Sequence, residues 1–168
     1  MKVILFIILL LSFAFAQTGI CGDSVAACSY TFHSGNGSLI INGTGAMTNY
    51  NGSDQPWNSY KNSIKNITIE NGITSIGNKA FANYTLLTNV IIPNSVNTIG
   101  ASAFEGCTAL KYVKYEGTNQ PTTCNNTAFN GVNVTIEVLD KYTNSHFVEK
   151  QFQVNVERIV NMNIQMKN

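Results

Sequence analysis

The sequence predicts an α/β solenoid, in which coils of one strand and one short helical or 3₁₀ segment stack on each other. The first indication is a repeat of 23 residues, because aliphatic side chains recur at Ile67, Val90, Val113 and Ile136. The second is the alternation of apolar and polar residues around these positions, which is typical of a strand with one buried face. The third is an alanine–phenylalanine pair behind each strand, at residues 80–81, 103–104 and 128–129. A repeat of this length is typical of stacked coils, and about three to four coils fit the chain.

Four segments are predicted along the chain. Lys2, the apolar run that follows it and the A-x-A pattern ending at Ala16 indicate a signal peptide cut after Ala16. The apolar run is shorter than the roughly 20 residues that cross a bilayer. The segments are a signal peptide in residues 1–16, an N-terminal cap in 17–64, the solenoid in 65–139 and a C-terminal cap in 140–168.

Both caps are expected to cover the ends of the stack. "SYTFHSGNGSLIIN" predicts a β-hairpin with Asn36-Gly37 at its turn. "SDQPWNSYKNSI" predicts a short helix capped by Ser53 or Asp54, with Trp57 as a wedge that closes the core rather than as a ligand platform. At the far end, the alternating "QVNVERIVNMNI" predicts a final strand, and three aromatic residues around a short helix are expected to close the last coil, namely Tyr142, Phe147 and Phe152.

Within each coil, small and aromatic residues have separate predicted roles. Gly77 and Gly100 are expected to supply a backbone shape that a side chain would resist. The alanine lets the coil close, and the phenyl ring fills its centre. No coil can bury its own apolar face alone, so stability is expected to come mainly from contacts between neighbouring coils.

The charge balance limits the classes of partner. Without Lys2, the predicted mature chain has nine Lys and Arg residues and nine Asp and Glu residues, so its net charge is zero. This argues against nucleic acid, which needs a basic footprint, and against docking to membranes through a polybasic segment. We expect a secreted protein that is released or is retained at the cell surface by non-covalent contacts.

Cysteines and asparagines agree with an exported chain. Four cysteines in such a chain are expected to pair, and proximity in sequence favours Cys21–Cys28 and Cys107–Cys124, although four cysteines permit three pairings. No metal site is predicted, because Cys107 and Cys124 have no CxxC partner and both His33 and His146 lie far from them in sequence. Sequons for N-glycosylation begin at Asn36, Asn42, Asn51, Asn66, Asn83, Asn125 and Asn133. We expect some of them to be occupied, with glycans at Asn66 and Asn133 flanking the sheet.

The repeat motif points to a known family. "IPNSVNTIGASAFEGCTAL" resembles the BspA-like branch of the leucine-rich-repeat proteins, whose unit runs roughly as V-x-I-P-x-S-V-x-x-I-G-x-x-A-F-x-x-C-x-x-L. "LIINGTGAMTNY" and the following "PWNSYKNSIKNITIENGITSIGNKAF" are similar to the segment that often precedes such repeats. The resemblance covers residues 28–138 and implies a short leucine-rich-repeat array in a surface or secreted protein of an anaerobic bacterium or parasitic protist. It further implies adhesion to host matrix proteins or aggregation between cells.

Little in the sequence indicates an enzyme or a cofactor. The motifs G-x-S-x-G, H-E-x-x-H and the phosphate-binding P-loop are missing, and "GTGAMT" has Thr48 where a dinucleotide fingerprint needs its third glycine. His33 and His146 are interpreted as surface histidines. No carboxylate pair is visible, although folding could bring together the scattered Asp23, Asp54 and Asp140.

The outward side of the predicted strands offers a binding surface. We expect the side chains to form two columns, Thr68, Ile91, Lys114 and Glu137 in one, and Asn66, Asn89, Tyr112 and Thr135 in the other. Ile91, Tyr112 and Lys114 combine apolar, aromatic and cationic character, which is typical of interface cores. The alternative is ordinary packing of Tyr112 against its cross-strand neighbours.

Three functions follow as hypotheses. The first is a non-catalytic module that recognises a protein or glycan of a host or neighbouring cell. The second is a structural or antigenic surface-coat component that associates with itself, which a zero net charge permits. The third is a hydrolase whose site is built from loops of distant coils.

Overall fold

The computed structural model describes residues 16–118 and 121–138, and it contains ten short strands and one 3₁₀ helix in this part of the chain. The 3₁₀ helix covers Asn58–Tyr60. The strands are β1 (Ala16–Ile20), β2 (Ser29–His33), β3 (Ser38–Asn42), β4 (Asn66–Ile69), β5 (Ser75–Ile76), β6 (Asn89–Ile92), β7 (Thr98–Ile99), β8 (Tyr112–Tyr115), β9 (Thr123–Cys124) and β10 (Thr135–Val138). Residues 1–15 of the predicted signal peptide and the predicted C-terminal cap lie outside the described residues, and the cap includes Asp140, Tyr142, His146, Phe147 and Phe152.

The strands form two sheets that wind as a solenoid. A seven-stranded sheet has the order β1-β2-β3-β4-β6-β8-β10, and a three-stranded sheet has the order β5-β7-β9. From β3 onward every neighbouring pair is parallel, and β4, β6, β8 and β10 pair in register at the 23-residue interval. The predicted solenoid is therefore confirmed. The second sheet was not predicted, because its strands have only two residues each and show no periodicity.

The prediction of helical segments behind the strands is wrong, because the chain forms turns there. The architecture is therefore a β-solenoid. Lys79 and Ser102, 23 residues apart, have positive φ angles of 53° and 55°, which interrupt a right-handed helix. The backbone instead bonds across coils: the N–H of Phe81 donates to Ala103 O at 2.8 Å, and that of Phe104 donates to Ala128 O at 2.7 Å. Bonds between coils thus replace the bonds that a helix would make within itself.

Glycine is required at positions 77 and 100 for a different reason from the predicted one. Neither residue has a positive φ. A Cβ atom at Gly77 would lie 1.8 Å from Thr48 O, and one at Gly100 would lie 2.6 Å from the backbone nitrogen of Asn78. Glycine is needed at these positions because the backbone of the N-terminal segment at Gly77, and of the preceding coil at Gly100, passes too close for any side chain.

A continuous stack of aromatic rings occupies the centre of the solenoid. Phe81 lies parallel to Phe104 with ring centroids 5.3 Å apart, and Phe104 lies on Phe129 at 4.9 Å. Trp57 continues the stack on the other side of Phe81 at 5.3 Å, is fully buried, and donates its Nε1–H to Ala80 O at 3.2 Å. The interpretation of Trp57 as a wedge in the core is confirmed.

The segment that carries Trp57 differs from the predicted capped helix. Its single 3₁₀ turn starts after Trp57, and no side chain caps it. Asp54 accepts a hydrogen bond from the N–H of Asn51 at 2.8 Å, within the preceding turn. The aromatic wedge, rather than a helix cap, therefore holds this segment against the first coil.

The predicted hairpin is present and joins the main sheet. β2 and β3 pair antiparallel, and Gly37 in their turn has a φ of 68°. β3 continues in parallel to β4, while β1, which was not predicted, pairs antiparallel with β2. The predicted Cys21–Cys28 disulfide closes the loop between β1 and β2.

The predicted Cys107–Cys124 bridge is wrong, because both residues are thiols. The Cys107 thiol donates to Phe81 O in the preceding coil at 3.0 Å, whereas Cys124 lies on β9 beside Ile99 of β7. Residues 17 positions apart do not complete a 23-residue coil, so they lie on different sides of it.

Burial raises the pKa of each thiol from 9.0 to about 12. Because the unfolded thiols ionise first, these groups reduce stability as the pH rises from about 9 to about 12.

Replacing Phe104 with alanine tests the stack. The ring is fully buried between two others, so we expect Phe104→Ala to lower the free energy of unfolding by about 3–5 kcal/mol in urea denaturation. The control is Leu86→Ala, because Leu86 is 45% exposed and its loss should change stability by less than about 0.5 kcal/mol. Equal effects of the two substitutions would contradict the central position of Phe104.

Thiol titration tests the cysteine assignment. Cys107 is buried and Cys124 half-buried, and both thiols are protonated at pH 8, so we expect Ellman's reagent to react slowly with the native chain. In denaturant without reductant it should detect two thiols per chain, and after reduction all four cysteines. A count of zero thiols in denaturant would show that the second bridge exists after all.

Candidate recognition face

The outward side of the seven-stranded sheet, here called the strand face, carries the predicted columns. Alternation buries every second residue of β4, β6 and β8 and leaves the others partly or fully exposed. Strand pairing aligns Thr68 with Ile91, Ile91 with Lys114, and Lys114 with Glu137. The second column is aligned in the same way, as Asn66, Asn89, Tyr112 and Thr135. The predicted arrangement of these residues is therefore confirmed.

The N-terminal strands extend both columns beyond the predicted residues. Ile40 aligns with Thr68, and Thr31 and Thr18 follow on β2 and β1. Ser38 aligns with Asn66, and His33 follows on β2. Seven strands at about 4.8 Å give a face about 29 Å long, instead of the four rows expected. The sequence shows the alternation of apolar and polar residues in β2 and β3. It does not predict that β3 pairs with β4, because the two strands are not separated by the 23-residue interval.

Asparagine side chains connect neighbouring strands on this face. The Asn89 amide donates to Asn66 Oδ1 at 2.8 Å and to the Thr88 hydroxyl at 2.9 Å. The Thr88 hydroxyl in turn donates to Lys65 O at 3.0 Å. These bonds fix the direction of the amides before any ligand arrives.

Lys114 has a partner just beyond the end of its own strand. Its ammonium group lies 2.9 Å from a carboxylate oxygen of Glu116, and both side chains are partly exposed. Such exposed pairs contribute about 0–1 kcal/mol, so the pair orients Lys114 more than it stabilises the fold. Glu116 was not among the predicted site residues, although its position two residues after Lys114 places both on one side of the strand.

The sequons fall into two groups. Asn36, Asn51, Asn83 and Asn133 are exposed, whereas Asn42, Asn66 and Asn125 are half-buried. The half-buried ones accept hydrogen bonds: Asn42 from the Ser29 hydroxyl, and Asn125 from the backbone N–H and hydroxyl of Thr127. Asn66 lies on β4, the central strand of seven, so the expectation that its glycan would flank the sheet is wrong. A glycan on Asn66 would stand in the middle of the strand face.

Catalytic and metal-binding candidates are dispersed. His33 lies on the strand face, while Asp23 and Asp54 are exposed in loops. Within residues 16–118 and 121–138, no three His, Cys, Asp or Glu side chains group as metal ligands. In the same part of the chain, no helix is long and apolar enough to cross a membrane.

Comparison with known proteins agrees with the repeat architecture. A leucine-rich repeat protein from Eubacterium ventriosum, whose crystal structure was determined at 2.50 Å resolution, is similar in fold, with a TM-score of 0.53 and 20% sequence identity. The similarity covers 77% of this chain and 46% of that one, so the chain spans about half the length of that structure. No curated protein matches the chain. The BspA type leucine-rich repeat region matches residues 58–166 in six copies, and the chain therefore belongs to this repeat family.

Proposed function

We propose that the protein is a secreted, non-catalytic module that recognises a protein or glycan of a host or neighbouring cell through its strand face. Leucine-rich repeats of this kind suggest a protein-interaction module. The observation that carries the proposal is the alignment of Ile91 between Thr68 and Lys114, beside Tyr112. Half-buried apolar, aromatic and charged groups thus meet on one side of the sheet, with Glu137 at its end.

Two features support secretion. The start of the sequence has the pattern of a signal peptide. The Cys21–Cys28 disulfide is typical of proteins that fold in an oxidising compartment.

The small area of the strand face favours weak, multivalent binding. Two or three outward residues on each strand and about 29 Å across the strands give less than the roughly 800 Å² per partner of a standard interface. A single contact of this size binds weakly, and adhesion between surfaces gains strength from many simultaneous contacts. Such a face is suited to a protein displayed in many copies.

A second function is favoured by a separate observation at the edge of the sheet. β1 has the sequence AQTGI, without any charge, and its Ile20 is 48% exposed. Uncharged edge strands are templates for pairing with another chain. Self-association into a surface coat is therefore the alternative to recognition of a foreign partner.

Substitutions on the face test the leading proposal. The chain is screened by biolayer interferometry against extracellular-matrix proteins and glycans, and the variants are measured on each partner found. We expect Tyr112→Ala and Lys114→Ala each to weaken binding by about 5- to 30-fold, as hot-spot truncations do. Lys79→Ala and Leu86→Ala are the controls, because both residues are exposed away from the strand face.

Two results would count against recognition by this face. One is a partner whose affinity is unchanged in both Tyr112→Ala and Lys114→Ala. The other is light scattering that shows concentration-dependent assembly which Ile20→Lys abolishes, since this would favour the coat component.

A further inference from the structure

We propose that the ligand of the strand face is an acidic saccharide that lies across the first residues of the parallel strands. The inference rests on the proposed function and names the class of ligand. It depends on a surface defined here as the basic band, which consists of Lys65, Asn66, Thr88, Asn89, Lys111 and Tyr112.

A backbone ladder places two lysines in one column of the band. The N–H of Lys65 donates to Gly37 O at 2.8 Å, that of Thr88 to Lys65 O at 2.8 Å, and that of Lys111 to Thr88 O at 3.1 Å. Positions 65, 88 and 111 are therefore equivalent in successive coils. Lys65 and Lys111 are exposed and lie two strands apart, or about 10 Å. Two cations at this spacing can contact acidic groups on neighbouring units of an oligosaccharide.

The face is polarised along the strands. Two alternate coils share a pattern with lysine first and glutamate last, "KNITIE" at 65–70 and "KYVKYE" at 111–116, while the coil between them has "TNVIIP". Glu70 and Glu116 take equivalent places, since their N–H groups donate to Ile41 O at 2.8 Å and to Ile92 O at 2.9 Å. The basic band has no carboxylate of its own. An anion is therefore attracted to the strand starts, whereas at the strand ends Glu70 is exposed and Glu116 is paired with Lys114.

Uncharged side chains of the basic band can bind the hydroxyl groups and the ring of a sugar. The amides of Asn66 and Asn89 and the hydroxyl of Thr88 are already joined in one network, so they need little ordering to bind hydroxyl groups. Tyr112 is aligned with Asn89 and offers an aromatic ring with a polar tip. An acidic polypeptide fits less well, because the backbone groups of the inner strands are already paired and cannot accept an added strand.

Calorimetry on lysine variants tests the proposal. The full chain is produced in an oxidising bacterial compartment without N-glycans, so that Asn66 is unmodified, and it is titrated with a sulfated uronate hexasaccharide. We expect binding that weakens with added NaCl, because both lysines are exposed. The double variant Lys65→Gln with Lys111→Gln should weaken it about tenfold, since single exposed ion pairs are weak. Lys79→Gln is the matched control and should change affinity by less than about twofold.

Four results would overturn the proposal. They are absence of binding to the sulfated oligosaccharide, equal binding of neutral cellohexaose, an equal loss of affinity in Lys79→Gln, and tighter binding of polyglutamate that depends on Lys65 and Lys111. The last result would assign the band to an acidic polypeptide. All four can occur while a different partner still depends on Tyr112 and Lys114, so they are distinguishable from failure of the proposed function. Circular dichroism shows that each variant is folded.

Discussion

The parallel stacking of aromatic rings along the axis of the solenoid is the contact on which the rest of the structure depends. Trp57, Phe81, Phe104 and Phe129 follow each other at centroid distances of 5.3, 5.3 and 4.9 Å. This spacing is close to the roughly 4.8 Å between hydrogen-bonded strands, so ring stacking and strand pairing impose the same rise on each coil. Because the two requirements agree, residues at equal positions in successive coils align across the sheet, and this alignment creates the columns of the strand face.

The narrow rise explains the unusual backbone behind the strands. A regular helix in each coil would be wider than the rise between coils. The chain instead turns through left-handed residues such as Lys79 and Ser102 and makes backbone hydrogen bonds to the next coil. Gly77 is required where the backbone of the N-terminal segment passes within contact of the first coil. Local backbone strain, which costs about 1–2 kcal/mol for each left-handed residue with a side chain, is thus offset by burial in the shared core.

Much of this fold could be predicted from the sequence, because the residues that stack recur at a fixed interval. The interval and the alternation together locate the phenyl stack and both columns of the face. The form of the turns could not be predicted, since Lys79 and Ser102 adopt positive φ without a glycine to indicate it. The Cys107–Cys124 pairing was wrong because nearness in sequence does not measure nearness across a coil. The contribution of β1, β2 and β3 to the strand face could not be predicted, because β3 pairs with β4 at an offset that differs from the repeat interval.

The central claim is that each coil is held by its immediate neighbours through the ring stack. A double-mutant cycle measures this directly, with Phe81→Leu combined with Phe104→Leu, and separately with Phe129→Leu, each followed by urea denaturation. Adjacent rings should be coupled by about 0.5–1.5 kcal/mol, whereas Phe81 and Phe129, which are separated by Phe104, should be additive within about 0.5 kcal/mol. Coupling of the distant pair as strong as that of the adjacent pair, or no coupling of Phe81 with Phe104, would contradict the account.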